Sequence, residues 1–467
     1  MSFLLTPEKI ASGTITNFIL YLSILGVLLF IATILRLKVP FLRKAFIPAS
    51  LIAGILGLIL GPYVLGVFPS EMRSSFSAMP TPFIVIVFAC MMLGTNHNVS
   101  KSALIGAAPS VVQSWTYSLT QVGVASLLTG LLFTPLWGTN PLFGAVVEIG
   151  FAGGHGTAGG MTEVFNELGW AAGTDVSQTT ATIGLLVGIF GGIILINIGV
   201  KKNWTTLLSS NSALSEDAKE VFDETDRKPS TYTTISSNVV DTFAFHAALI
   251  GIAILIGQII VKILKLILNY SLPLFPFAMI GGWILNMILR KTPVGKMMTL
   301  RAARASTAKT ASGLVSAITP FRISAVSIPV ILEYWKELLI VCVIATAATV
   351  FLCLYFGPRL YPRHWFESSI LRFGIATGVA AVGLMLLRVC DPELKTDAAE
   401  TYALSSPFTS PFVGGGLVTT SYSYLIASFG SVKVGLVCMA ATIVIFVICR
   451  ITGLWQKKPA FEQRGNL

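Results

Sequence analysis

The sequence predicts an all-α polytopic membrane protein: two inverted repeats of five transmembrane helices, each with a glycine-rich re-entrant hairpin, plus one extra C-terminal helix. Three observations predict it. First, 54% of the 467 residues are hydrophobic and 11% are charged, whereas ordinary globular chains carry about 25% charged residues. Second, apolar runs of roughly 20 residues recur along the chain, the length a helix needs to cross a bilayer. Third, two apolar stretches, 142–168 and 368–390, are too rich in glycine for plain spans. A β-barrel would show alternating segments of ~10 residues, and the sequence has none.

Eleven spans follow from hydropathy: Thr16–Leu35, Ile47–Val67, Pro80–Leu93, Ala103–Phe133, Val176–Val200, Val239–Leu268, Pro273–Leu289, Thr310–Ile331, Leu338–Phe356, Tyr402–Ile426 and Val432–Leu454. The first is too long for a signal-peptide core and lacks a basic leader, so it is expected to be retained. With the N-terminus outside, the loops then assigned to the cytoplasm hold 22 Lys and Arg against 7 outside. That is the positive-inside bias, and it puts the C-terminus in the cytoplasm. The same bias accounts for the net charge of +11. The basic residues lie between apolar runs, with no aromatic-interleaved patch, so nucleic acid is not an expected partner. Six scattered cysteines in apolar runs, without CxxC or Cys/His spacing, fit packing rather than metal binding.

The domain plan has four parts. Residues 14–202 form the first repeat, with its hairpin at 142–168, and 203–238 form a polar, acidic cytoplasmic linker. Residues 239–430 form the second repeat, with its hairpin at 368–390, and 431–467 form an extra transmembrane helix and cytoplasmic tail. The halves echo each other. When 151–195 is slid along the chain so that Phe151 meets Phe373, Gly156 meets Gly378, Asp175 meets Asp397, Thr179 meets Thr401 and Gly192 meets Gly414. Upstream, 48–54 (PASLIAG) echoes 276–282 (PFAMIGG). An odd number of spans per unit inverts the second unit, and inverted repeats with broken elements near the midplane mark secondary transporters.

The most telling string is Gly153-Gly154-His155-Gly156-Thr157, within a run that has five glycines among the eleven residues 151–161. Non-helical backbone at membrane depth survives only where protein or a water-filled cavity surrounds it. That string, followed by the glycine-rich span 179–192, resembles the bacterial sodium/glutamate symporter family. Ile47-Pro48 with Ala53-Gly54, and Leu93-Gly94 followed by Asn96 and Asn98, resemble the family's second helix and the end of its third. The second half departs: its hairpin motif is diluted to Arg372–Gly378 (RFGIATG), and Val432–Leu454 looks like an addition. The resemblance implies sodium-coupled uptake of glutamate or a related small acid. It also implies a homodimer in the bacterial inner membrane, with a mobile transport domain sliding against a fixed one in elevator fashion. The one implied ligand besides substrate is the sodium ion, with no further cofactor.

Site residues follow. Amides at a hairpin tip hold a carboxylate and carbonyls hold sodium, so Gly153, Gly154, Gly156 and Gly378 are expected at the substrate, with His155 and Thr377 beside them. His155 would touch substrate or carry a proton. An intramembrane arginine is costly and marks function. Arg372 and Arg388 flank the second hairpin, where the alternative is a place at the cytoplasmic interface; Arg372 is the better candidate for a second substrate carboxylate. Hydroxyls suit sodium: Thr157 and Thr182 in the first half, and Ser405, Ser406 and Thr409 in a span that two prolines and three glycines should break. Gly184, Gly188, Gly191 and Gly192 are expected to serve helix packing. Glu148 and Glu163 flank the first hairpin, Glu163 at a solvated rim, and Asp175 and Asp397 are expected to cap the helices that follow. A proton-coupled or exchange carrier of another organic anion is the alternative, and a channel is a third reading. No HExxH, GxSxG or Walker A string and no carboxylate or His/Cys cluster points to an enzyme.

Overall fold

The computed structural model describes residues 12–44, 47, 49–78, 80–93, 101–207, 238, 240–268, 273–290, 292, 327–391 and 395–463. Among them there is no strand. The principal helices are α1 (Ser12–Lys38), α2 (Ala49–Leu60), α3 (Pro80–Met92), α4 (Lys101–Leu128), α5 (Val146–Phe151), α6 (Gly154–Gly160), α7 (Ala172–Leu186), α8 (Gly192–Lys201), α9 (Thr242–Leu268), α10 (Leu274–Arg290), α11 (Trp335–Leu360), α12 (Trp365–Cys390), α13 (Ala398–Thr409), α14 (Leu417–Phe429) and α15 (Ser431–Ile451).

Among the described residues, six stretches are long and apolar enough to cross a membrane: Thr16–Lys38, Ile105–Trp137, Ala172–Lys201, Ala244–Ile267, Trp335–Leu360 and Ser431–Ile451. Hydropathy alone expects eleven, and the difference has a physical cause. The window averages apolar character but ignores breakers. The second span stops at Leu60, because Pro62 disfavours helix at the residue before it. Its 12 residues reach only about 18 Å at 1.5 Å each, short of a hydrocarbon core of about 30 Å. The 13-residue α3 falls short in the same way, and the 17 residues of α10 lie at the lower limit for a span. The span expected at Tyr402–Ile426 is two helices with a non-helical stretch between Thr409 and Leu417. The expected span Thr310–Ile331 lies mostly outside the described residues, as does most of the linker 203–238.

The chain divides into two compact units. One comprises 1–98, 159–167 and 219–328, and the other 99–158, 168–218 and 329–467. Each therefore takes helices from both halves of the sequence. In the first unit α3, α9 and α10 share a core of Phe88, Ala89, Leu249, Ala253, Phe275, Ala278 and Met279. Three glycines let these backbones touch. A Cβ on Gly281 would lie 2.0 Å from the Ala253 carbonyl oxygen, one on Gly257 2.6 Å from the Ala278 nitrogen, and one on Gly282 2.5 Å from the Ala89 carbonyl oxygen. Without a hydrophobic drive between helices in lipid, such small-residue contacts do the packing. α1 and α2 form a second core around Leu25, Leu28, Ala32, Ile52 and Ala53.

The second unit is organised on α4 and α11. α15 lies against α4 through the same device. A Cβ on Gly123 would fall 2.7 Å from Met439 Sδ, one on Gly130 2.5 Å from Val432 Cγ2, and one on Gly435 2.9 Å from Leu127 Cγ. The helix that looks added in sequence is thus an intimate part of this unit. One of its cores joins Leu352, Phe356, Trp365, Phe366, Phe373 and Leu386 with Ile189 and Leu195.

Candidate functional site

The second unit contains two helix breaks that meet. In the first, Asn140 caps a 3-10 turn through its Oδ1, which accepts the Leu142 N–H at 2.9 Å. α5 follows, then Ala152–Gly153, then Gly154 at φ +69°, where α6 starts. A left-handed residue is cheap only for glycine, so Gly154 makes this turn possible. In the second, α12 is interrupted at Gly378 (φ −141°, ψ 32°) and Val379 (φ 60°, ψ 178°). Its chain doubles back there: a Cβ on Gly374 would lie 2.6 Å from Gly383 Cα, and one on Gly383 2.5 Å from the Leu371 carbonyl oxygen. The tips touch. A Cβ on Gly154 would fall 2.5 Å from Cγ1 of Val379.

The residues beside the tips are held by back-bonds to their own helices. Thr157 Oγ1 donates to the Gly153 carbonyl at 2.9 Å and Thr377 Oγ1 to that of Phe373 at 2.9 Å. His155 Nε2 and Thr182 Oγ1 are 2.9 Å apart, and Thr182 also donates to the Gln178 carbonyl at 3.1 Å. Gly153 is crowded by its own turn: a Cβ there would meet the Ile149 carbonyl at 2.5 Å. Gly156 is half-buried. Gly184 and Gly188 face the second tip: a Cβ on either would fall 2.4 Å from the Thr377 carbonyl oxygen and 2.8 Å from its Oγ1, respectively. Gly191 and Gly192 lie against Phe373 and Leu386. Gly188 and Gly191 belong to a π-turn, Val187–Gly191, the kind of helix irregularity often found at functional sites.

Arg372, nearly two helical turns before the second tip, is 2% exposed. Its Nε donates to Ser110 Oγ at 2.6 Å and its Nη1 to Ser114 Oγ at 3.1 Å; Nη2 donates to Ser405 Oγ. The guanidinium carbon lies 5.1 Å from the Tyr402 ring centre. Every one of these partners is neutral, and among the described residues no carboxylate pairs with Arg372. Ser405 thus sits on a cation, which argues against sodium at that hydroxyl. Ser406 Oγ bonds Ser410 Oγ at 3.0 Å, and Thr409 Oγ1 donates to the Ser405 carbonyl at 3.2 Å.

The carboxylate in this unit that spacing does not single out is Glu148. It is fully buried in α5. Its Oε1 accepts hydrogen bonds from Ser118 Oγ at 2.9 Å, Thr419 Oγ1 at 2.9 Å and the Gly414 N–H at 3.0 Å. These last two flank the break between α13 and α14, where Gly414 and Gly415 have φ +70° and +99°. The missed signal lies in α4. Ser110, Gln113, Ser114, Tyr117, Ser118 and Gln121 repeat at helical spacing through an otherwise apolar span, and a polar stripe of that period marks a buried polar face. Ser114 on the arginine and Ser118 on the glutamate are four residues apart, roughly 6 Å of helix rise. Gln121 Nε2 continues the stripe, donating to the Ala376 carbonyl at 2.8 Å.

Two expected caps are not formed. Asp175 lies inside the first turn of α7, whose N-cap is Ala171. Asp397 occupies the N-cap of α13 but makes no side-chain cap bond; its carboxylate lies 2.8 Å from His364 Nδ1 instead.

The description sodium/glutamate symporter matches residues 15–364. The chain belongs to the sodium/glutamate symporter family. It is therefore a membrane transporter of the symporter class. The match ends at His364, directly before α12. The first tip, Glu148 and the stripe on α4 lie inside it; Arg372, the second tip and the break 410–416 lie beyond it. No curated protein matches the chain.

Proposed function

We propose that this symporter couples inward sodium movement to uptake of glutamate or a closely related small acid. The observation that carries the reading is a buried guanidinium with only neutral partners, nearly two turns from two touching helix tips. Burying an unpaired arginine at membrane depth costs several kcal/mol, a cost that an anionic substrate offsets. The tips around Gly154 and Gly378 are the place for the substrate's α-carboxylate, and Arg372 for its second one, with His155 positioned through Thr182. Thr157, Thr182, Ser406 and Thr409 stand near the breaks as hydroxyl ligands for sodium. The halves are read as inverted repeats and the two breaks as re-entrant hairpins. The reading includes a homodimer in which a mobile transport domain slides against a fixed dimerisation domain in elevator fashion. The protein is placed in the bacterial inner membrane with the N-terminus outside and the C-terminus in the cytoplasm.

Binding tests this directly. Ligand that binds only the native state raises apparent stability. Glutamate is expected to raise Tm in sodium and much less in choline. Arg372→Gln is expected to leave the substrate-free Tm unchanged or higher, since it removes an uncompensated buried charge. It should weaken glutamate binding by about tenfold to a hundredfold, the worth of a charge-assisted hydrogen bond. Equal stabilisation of both proteins by glutamate would rule out Arg372 as the substrate's anchor.

A further inference from the structure

We propose that Glu148 is a ligand of the coupling sodium ion, in a site built on the unwound stretch Ser410–Gly416. The inference rests on the sodium-symport reading and names a residue for it. Three observations carry it. Glu148 is 0% exposed, and its Oε2 has no hydrogen-bond partner although Oε1 has three. Among the described residues it forms no ion pair. Its neighbouring backbone is open, for the carbonyls of Val413, Gly414 and Gly415 accept no hydrogen bond among the described residues. And Thr419, which donates to Glu148 and accepts the Gly415 N–H at 3.1 Å, is followed one turn later in α14 by Ser423, buried with an unpartnered Oγ.

These are the oxygen types a hard cation selects: one carboxylate, freed carbonyls and hydroxyls. Positive φ at Gly414 and Gly415 keeps the stretch unwound, so the carbonyls cannot return to the helix ladder. A carboxylate that only stapled the break would need Oε1 alone, and glutamine supplies that oxygen equally well. Oε2 is the atom a staple leaves unused and a cation site requires. The location also explains coupling. Glu148 is in the leg of the first hairpin, Gly414 and Thr419 are in the broken helix, and sodium would fasten one to the other. The Gly414 break already faces the hairpin tip, with a Cβ on Gly414 3.6 Å from the Ala152 carbonyl oxygen.

The test uses the full chain in proteoliposomes, with glutamate uptake measured against sodium concentration. Glu148→Gln is expected to raise the half-activating sodium concentration by about tenfold or more, because affinity follows the number of charged ligands. It should also abolish the thermal stabilisation by sodium chloride over choline chloride in substrate-free purified protein. Thr419→Val and Ser118→Ala, which keep the carboxylate, are expected to shift sodium activation by about threefold to tenfold. They decide the matter if Glu148→Gln does not fold. Unchanged sodium activation in Glu148→Gln, or in both hydroxyl variants should it not fold, overturns the inference. So does loss of pH dependence alone, which would make Glu148 a proton carrier. Sodium-independent uptake by the unaltered protein overturns instead the symport reading beneath it.

Discussion

Val379 is a β-branched residue at φ 60° and ψ 178°, a region that is essentially glycine-only and costs on the order of 1–3 kcal/mol. It is held there because its side chain closes on Gly154 across the two tips. The two positions are therefore expected to be coupled. Gly154→Ala adds a Cβ at positive φ that meets Val379 Cγ1, and is expected to lower both Tm and uptake. Val379→Gly relieves strain and opens the contact. In a double-mutant cycle the combined variant should recover part of the Gly154→Ala loss, with an interaction of about 0.5–3 kcal/mol. Strictly additive losses would show that the tips do not press on each other. At this scale the sequence was legible where a residue type is unusual for its setting. Gly154 and Arg372 stand out among apolar neighbours, and both lie where the chain breaks or buries a charge. Glu148 reads as an ordinary hairpin-flanking acid, because its meaning comes from Ser118, Gly414 and Thr419, which lie 30, 266 and 271 residues away.

At the scale of elements, the breaks at Gly154 and 410–416 follow from glycine and proline placement and are readable without coordinates. The second break is less so: Gly378 is ordinary enough, but Val379 gives no local hint of a positive φ. Span counting differs for a related reason, since a hydropathy window averages across helix breakers and cannot tell a full span from a 12- or 13-residue helix. α15 shows the opposite case, an element whose presence is plain and whose role is set by contact. Gly435→Leu is expected to force α15 from α4 and to lower Tm by the cost of overpacking, about 1–3 kcal/mol. An unchanged melting curve would show that the helix is peripheral. The loop leaving the second hairpin is expected to respond to acid. Burial pushes the Asp391 carboxyl up. Hydrogen bonds from Thr396 Oγ1, Thr396 N–H and Lys395 N–H outweigh that and hold it below its ordinary value of 3.8. A carboxyl lowered on folding contributes stability fully above its unfolded value, and loses it as pH falls through the folded one. Amide exchange at Lys395 and Thr396 should therefore stay slow down to about pH 4 and rise below it. Fast exchange at pH 6 would contradict the hydrogen-bonded loop.

At the scale of the whole molecule, the family match stops at residue 364, yet the touching tips join Gly154 inside it to Val379 beyond it. Each compact unit is assembled from both halves of the chain, which a linear domain plan at 14–202 and 239–430 does not convey. Interleaving arises because segments distant in sequence bury their small-residue faces against one another, and pairing of that kind is invisible to hydropathy. A transporter working on charge must also balance it. If more positive charge enters with sodium than the entering glutamate offsets, an inside-negative potential of 100 mV adds about 2.3 kcal/mol per net charge moved. The central claim is sodium-coupled uptake, and one measurement meets it most directly: accumulation of labelled glutamate in proteoliposomes under an inward sodium gradient, with and without an imposed inside-negative potential. Concentrative uptake is expected, collapsing when choline replaces sodium and growing with the potential. Uptake that is equal in choline, or that follows a proton gradient instead, would contradict it.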